Sequence, residues 1–418
     1  MNSKQSGRRR FLKESAALAG MAAMGAGAIR SASGQTLGSA TPALRPDDYR
    51  AYGRRSRFVT SVRTLGSRTG LLTPLQDSVG IITPSALHFE NTRGYPPPDI
   101  DPRQYRLLIH GLVDRPLLFT LEELQCLPSV SRIYFVECGG NSGGRTWTKN
   151  TVQTAQQIHG KTSCSEWTGV PLSLLLGEAG VQKGANWLVA EGADMAKRTE
   201  SVPLEKARDD VLVAYGQNGE PLRPQQGYPV RLLLPGWAGS IFVKWLRRIK
   251  VVDQPYFNKW EIGRLQPPPA GKPYPFTYGQ APKSVITRPS PGHRLPGRGS
   301  YEITGLAWSG GGAIRRVEVS TDGGRTWKDA QLQEPVFRFA HARFRFPWNC
   351  DGEEAVLQSR CTDERGQGQV TLAELGGIEG LSLEADYWQT PETGGSRPNY
   401  IQPWKVTRDG SVHNALLT

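Results

Sequence analysis

The chain is poor in the residues that usually mark electron carriers and metal clusters. Among 418 residues there are five cysteines, six histidines and four methionines. No Cys-x-x-Cys pair occurs, which excludes zinc ribbons and thioredoxin-type dithiol chemistry. No Cys-x-x-Cys-His occurs either, so this chain attaches no c-type haem. Acidic residues are outnumbered, 38 against 51 Lys and Arg, for a net charge of +13. That balance suits an anionic ligand or an acidic partner. The basic residues are scattered rather than interleaved with aromatics, so nucleic-acid binding is the weakest reading. Past the leader no apolar run reaches the ~20 residues a bilayer-spanning helix needs. What is abundant is Gly, at 48, and Pro, at 31, which favours short strands and turns over a helical bundle. Apolar residues make up 38%, enough for real cores, and the length predicts two or three domains at roughly 150 residues each.

The first 34 residues read as a leader. Gly7-Arg8-Arg9-Arg10-Phe11-Leu12-Lys13 precedes a weakly apolar run from Ala16 to Ile29, followed by the small-residue stretch Ser31-Ala32-Ser33-Gly34. Twin arginines before Phe-Leu-Lys match the twin-arginine export signal. The expected location is the periplasm, reached after folding, with no membrane span once the signal is removed. Five cysteines is an odd number, so at least one is unpaired or ligating. In an oxidising compartment Cys350 and Cys361, which flank an apparent hairpin, either form a disulfide or remain buried thiols.

Residues 35–84 are polar, basic and weakly patterned, and are expected to wrap over the surface as an N-terminal extension. From Tyr105 strand-like runs begin: Arg106–Val113, Arg132–Glu137, Trp187–Ala190, Val211–Tyr215, Val230–Leu234 and Leu246–Val252. Thr120 and Glu123 form a capping-box pattern ahead of a short helix. These elements predict an α+β domain over 85–265. Residues 266–282, with Pro267-Pro268-Pro269, read as a linker. Alternating runs at Tyr301–Ser309, Arg316–Ser320, Arg343–Trp348 and Ala355–Thr362 follow, with an Asp322-Gly323 turn that signals a hairpin. Their spacing predicts an immunoglobulin-like β-sandwich over 283–405, then a tail over 406–418.

Two segments carry chemistry. In Tyr134-Phe135-Val136-Glu137-Cys138-Gly139-Gly140-Asn141-Ser142 a buried strand delivers one thiol at its end, and two glycines let the backbone turn beside a bulky group. A thiolate there is a ligand for a sulfur-loving metal, or a structural cysteine beside a turn. The same stretch contains Gly140-Asn141-Ser142-Gly143-Gly144, the pattern of a hydrolase nucleophile elbow. Ser142, however, lies five residues past Glu137, and no apolar helix follows. The second segment runs from Gln226 to Leu246. Arg231, Lys244 and the amides around Gly239-Ser240 either surround a phosphate or form a solvated basic edge.

Taken together these stretches resemble the sulfite oxidase family of molybdenum enzymes, and within it the dehydrogenases of sulfane sulfur and sulfite. The matching residues are Asp99-Ile100-Asp101-Pro102, His110-Gly111-Leu112-Val113, Phe135 to Ser142, Ser163 to Val170, Glu191-Gly192-Ala193-Asp194, Ala214 to Gly219, Gly227 to Leu246 and Glu318 to Gly324. The resemblance implies a molybdopterin-binding domain followed by a dimerisation domain, and so a homodimer. It implies a molybdenum–molybdopterin cofactor with Cys138 as the protein's thiolate ligand. Asp194, Arg231, Ser240 and Lys244 fall where the family contacts the pterin or its phosphate. The implied activity is oxidation of a small or carrier-bound sulfur compound by oxygen-atom transfer. Electrons would leave to a separate c-type cytochrome.

The sequence departs from the family at three places. Where sulfite-oxidising members carry Phe-x-Arg-x-His, this chain has Phe89-Glu90-Asn91-Thr92-Arg93, so Asn91 takes the arginine position and Arg93 the histidine position. Gln226 replaces a frequent histidine, and Leu265 a tyrosine. Asn91, Arg93 and Gln226 are therefore expected at the cofactor, Asn91 and Arg93 beside the reacting sulfur, and the departures bear on the substrate more than on the cofactor. Two other readings stay open on the residues. One is a sulfoxide reductase of the same cofactor family, whose members generally lack the second domain. The other is a non-catalytic exported binding module.

Overall fold

A computed structural model describes residues 55–66, 70–91, 96–143, 151–258, 261, 278–379 and 399–416. The proposed signal segment, Arg93 and most of the Pro-rich connection lie outside them. The first domain is built on two sheets. In one, the strand order is Glu220–Pro221, Leu212–Gln217, Thr162–Pro171, Val130–Glu137, with Arg231–Leu233 also pairing with Leu212–Gln217. In the other it is Leu117–Phe119, Leu107–Gly111, Leu246–Val252, Trp187–Gly192, Thr199–Pro203. Of these neighbours only Leu107–Gly111 and Leu246–Val252 run parallel. That pairing joins segments about 140 residues apart, bridged by a long crossover connection as parallel strands require. Leu107, Ile109, Trp167, Leu188, Leu212 and Ile249 fill the core between the elements, all at most 2% exposed. The short helix Leu121–Cys126 starts where the capping pattern places it: Glu123 N donates to Thr120 Oγ1 at 3.1 Å, and Thr120 N donates to Glu123 Oε2 at 2.7 Å.

The second domain is a β-sandwich. Lys283–Arg288, Gly299–Trp308, Ala342–Cys350 and Gln331–Leu332 form one sheet. Lys328–Asp329, Ile314–Ser320, Ala355–Asp363, Trp404–Val406 and Val412–Asn414 form the other. The Asp322-Gly323 turn closes its hairpin, with Glu318 opposite Asp329. Val412–Asn414 pairs with Trp404–Val406, so the stretch expected as a tail is the sandwich's last strand. An Asp409-Gly410 turn makes this possible, with Gly410 at φ +81°. Cys350 and Cys361 are both buried free thiols, as Cys164 is, so no bridge links them. Residues 70–84 do not simply drape the surface: Leu72 and Leu75 are buried, and Leu71 N donates to Glu90 O at 2.8 Å.

The domains share an apolar interior. Phe135, Ile158 and Cys164 of the first domain pack in one cluster with Val285, Trp308, Phe344 and Trp404 of the sandwich. Phe135 N also donates to Phe339 O at 2.7 Å. The end of the strand before Cys138, Phe135–Glu137, is thus buried.

Candidate molybdenum cofactor site

Val130–Glu137 pairs antiparallel with Thr162–Pro171 and runs out at Cys138, whose amide donates to Lys161 O at 2.9 Å. Past it the chain turns: Asn141 N donates to Cys138 O at 2.9 Å, and Ser142 N to Ile158 O at 3.1 Å. The side chain of Cys138 is half-buried. Asn91 Nδ2 donates to its sulfur at 3.2 Å. Against the same turn lies Ala238–Ser240. Gly239 N donates to Glu137 O at 2.6 Å. A Cβ on Gly239 would stand 2.8 Å from Val136 Cγ1 and 2.9 Å from Glu137 O, so only glycine permits this approach.

Arg231 opens the buried strand Arg231–Leu233. Its Nη1 donates to Gln226 O at 3.0 Å, and its guanidinium lies 4.9 Å over the Trp167 ring. Its Nε is buried with no hydrogen-bond partner. Burial lowers its pKa to about 9. Lys244 Nζ donates to Gln225 O at 2.8 Å and sits over the Trp245 ring at 4.6 Å. Burial, then the Arg231 charge, brings its pKa down to about 7, against the pull of Glu90 and Asp194. Gly227, at φ +108°, lets the two cations meet: a Cβ there would touch Lys244 at 3.0 Å and Arg231 at 3.2 Å. Gln226 Nε2 donates to Phe89 O at 3.0 Å, tying this segment to Asn91's.

Asp194 Oδ1 accepts from Arg198 N at 2.9 Å. The Arg198 guanidinium reaches Ser240 O and Glu200, so Arg198 clasps the Asp194 and Ser240 loops together. Ala193 N donates to Trp245 O at 2.8 Å, next to Lys244. Asn91, Cys138, Asp194, Gln226, Arg231, Ser240 and Lys244 are therefore linked contact by contact around one site. Arg93 lies outside the described residues.

Sequence reasoning missed two contributors. His88 is 1% exposed, stacks on Phe89 at 5.1 Å and leaves Nε2 without a partner. Burial, together with the Arg231, Lys244 and Arg63 charges, lowers its pKa to about 3, despite the opposing bond to Phe89 O. Arg198 is the other; nothing local to either residue signals its role. The serine of the elbow pattern is closed off: Ser142 Oγ meets His159 Nδ1 at 2.6 Å, both residues are fully buried, and His159 Nε2 meets Gln402 Oε1 at 3.2 Å. Burial holds His159 well below its usual pKa, and no substrate reaches this pair.

The residues fit an anionic, metal-bearing cofactor. A buried and a half-buried cation with depressed pKa values, and two unpartnered buried ring or guanidinium nitrogens, are costly without an anion to meet them. Among the described residues no group of three or more His, Cys, Asp and Glu is placed to hold a metal ion. A half-buried thiol on the same site as Arg231 and Lys244 suits a metal that arrives with its own organic chelate.

Comparison with known proteins agrees. Residues 94–260 match the oxidoreductase molybdopterin binding domain, and residues 276–349 the Mo-co oxidoreductase dimerisation domain. Rat mitochondrial sulfite oxidase is 33% identical over 331 residues, 73% of this chain and 60% of that protein. Tomato NADH nitrate reductase is 35% identical over 292 residues, 61% of this chain but 32% of the enzyme. The chain thus spans between a third and three-fifths of these relatives. The crystal structure of the sulfane dehydrogenase SoxCD from Paracoccus pantotrophus superposes with a TM-score of 0.75 at 36% identity, covering 92% of this chain and 95% of that one. With a thiol at a strand end, a buried cationic cradle and a sandwich behind them, the chain belongs to the sulfite oxidase family of molybdenum enzymes, and its cofactor is molybdenum–molybdopterin.

Proposed function

We propose that this chain is the catalytic subunit of an exported dehydrogenase that oxidises reduced sulfur and passes the electrons to a c-type cytochrome. The observation that carries the reading is the contact between Asn91 Nδ2 and Cys138 Sγ. Where sulfite-oxidising relatives place a guanidinium for a free dianion, this chain places a neutral carboxamide and turns it onto the ligand sulfur. Such a site is less cationic and better matched to a sulfur atom carried on a thiol, which bears less charge than sulfite. The likeness to a sulfane dehydrogenase over 92% of the chain supports the same substrate class.

When bound, the molybdenum–molybdopterin group supplies two-electron oxidation coupled to oxygen-atom transfer. The chain's residues bind and orient. Cys138 offers its thiolate from a backbone pinned by Lys161 O and Asn141 N. Arg231 and Lys244 would hold the cofactor's phosphate, and Asp194 and Ser240 would contact its pterin. Electrons leave to a separate haem protein, because this chain has no haem-attachment motif. Assembly as a homodimer through the sandwich, and export by the twin-arginine route, complete the reading.

The test is maturation in a host with twin-arginine export, followed by metal and pterin analysis and assays in both directions. The expected result is one molybdenum per chain and cytochrome c reduction with a thiol-bound sulfane donor. Turnover of methionine sulfoxide with a reduced dye, and none with sulfur donors, would overturn it. Cys138→Ser is expected to abolish sulfur oxidation while leaving the fold intact.

A further inference from the structure

The carboxylate next to Cys138 is held largely by the second domain. Glu137 is 3% exposed. Its Oε1 accepts from Lys283 Nζ at 2.8 Å and from Asn141 Nδ2 at 2.8 Å; its Oε2 accepts from Trp308 Nε1 at 2.8 Å. Its carbonyl accepts from Gln280 Nε2 at 3.2 Å as well as from Gly239 N. Lys283 opens the first strand of the sandwich and Trp308 closes the second, and both fall within the residues matched by the dimerisation-domain model. Asn141 closes the turn that carries Cys138, and its Oδ1 accepts from Lys161 N at 3.0 Å. One buried carboxylate therefore joins two donors from the sandwich to the turn that presents the thiol.

We propose that Glu137, Lys283 and Trp308 are positioning residues through which the dimerisation domain fixes the sulfur of Cys138. The proposal rests on Cys138 being the metal's protein ligand. Simple adhesion between the domains does not account for the arrangement. The seam is already closed by Phe135, Ile158 and Cys164 packing into the sandwich core. A buried ion pair is also poor adhesive, since loss of hydration offsets its attraction. What it does impose is geometry: a carboxylate with three directional donors has one place to sit. The sandwich strands are held by their sheet, with Lys283 opposite Trp308. The turn at residues 138–142 belongs to no strand, so it gives way before the strands when a donor is lost. The dimerisation domain is on this view part of the cofactor site, acting one residue removed from the metal.

The experiment uses full-length, matured protein and reads molybdenum content, the electron paramagnetic resonance spectrum of the metal, and thermal stability. Lys283→Met removes the charged donor, Trp308→Phe removes one neutral donor, and Lys283→Arg keeps charge and donor. Lys283→Met is expected to lower molybdenum content about tenfold and to alter the spectrum of what remains, as losses in support of a metal ligand do. Trp308→Phe is expected to retain metal with a shifted spectrum, and Lys283→Arg to restore both content and spectrum. Wild-type spectra in Lys283→Met and Trp308→Phe overturn the proposal, even if stability falls, because then the contacts only glue. Should Lys283→Met fail to fold, the Trp308→Phe spectrum decides alone. Cys138→Ser serves as a separate control: if it keeps native metal content and spectrum, the ligand assignment fails whatever the other variants do.

Discussion

Asn91 Nδ2 and Cys138 Sγ lie 3.2 Å apart, a carboxamide donating to the thiol proposed as the metal's ligand. The two residues are 47 positions apart in sequence, so the contact is made by the tertiary fold alone. An N–H donated to a thiolate ligand withdraws electron density from it, one of the ways a surrounding group tunes a metal.

Asn91→Leu is accordingly expected to keep the cofactor, shift the metal's midpoint potential downward and slow sulfur oxidation about tenfold. Potentiometric titration beside a metal assay checks it; an unchanged potential would show that the amide has no electronic role. Asn91→Arg restores the family's cation. A hydrogen bond to a charged group is worth about 1.5–3 kcal/mol, so KM for free sulfite is expected to fall about tenfold or more. Steady-state assays with sulfite and a thiol-bound sulfane, run side by side, measure the change in preference.

Lys244 gives the cofactor-free protein a pH signature. Its pKa falls from an ordinary 10.5 to about 7 on burial. Between those values the unfolded chain binds more protons than the folded one, so stability rises with pH across that window and the penalty is complete below it. Cofactor-free wild type is expected to gain thermal stability relative to Lys244→Met between pH 7 and pH 10. Binding of the anionic cofactor reverses this, since it favours the charged lysine and takes up a proton above pH 7. Equal pH slopes for wild type and Lys244→Met would refute the assignment.

Gly239→Ala places a methyl group 2.8 Å from Val136 Cγ1 and 2.9 Å from Glu137 O. The loop must retreat from the Cys138 turn, at a cost of about 1–3 kcal/mol. The expected result is a cofactor-poor protein that still folds, seen as low molybdenum content with a lowered denaturation midpoint. Full metal content would mean that the close approach is dispensable.

Ser142→Ala breaks the bond to His159 and leaves a buried ring nitrogen unsatisfied, at about 1–3 kcal/mol. Urea unfolding is expected to show that loss, while p-nitrophenyl ester hydrolysis stays at background in wild type and variant alike. Ester turnover abolished by this substitution would revive the nucleophile reading.

Much of the fold was legible because its signals are local. The capping box at Thr120 and Glu123, the Asp322-Gly323 hairpin and the strand ending at Glu137 each depend on neighbours a few residues away. The Asp409-Gly410 turn obeys the same rule as Asp322-Gly323, yet the stretch around it was expected as a tail, since Trp404–Val406 and Val412–Asn414 are short and Ala355–Asp363, the partner of Trp404–Val406, lies some fifty residues earlier. Asn91, Cys138, Asp194, Gln226, Arg231, Ser240 and Lys244, named through motif resemblance, are linked by contacts in the structure, while Arg93 lies outside the described residues. The supports of that site were not legible. Lys283 and Trp308 reach Glu137 across 146 and 171 residues, and His88 reads in sequence as any lone histidine beside an aromatic. Such partnerships are set by which sheet faces which, and nothing in the local pattern encodes that.

The apolar seam formed by Phe135, Ile158 and Cys164 has a thermodynamic corollary. Part of the first lobe's interior lies in the sandwich's core cluster, so the two lobes are expected to unfold together. Nicking the polypeptide between the lobes should yield two pieces that still co-elute and melt in a single step.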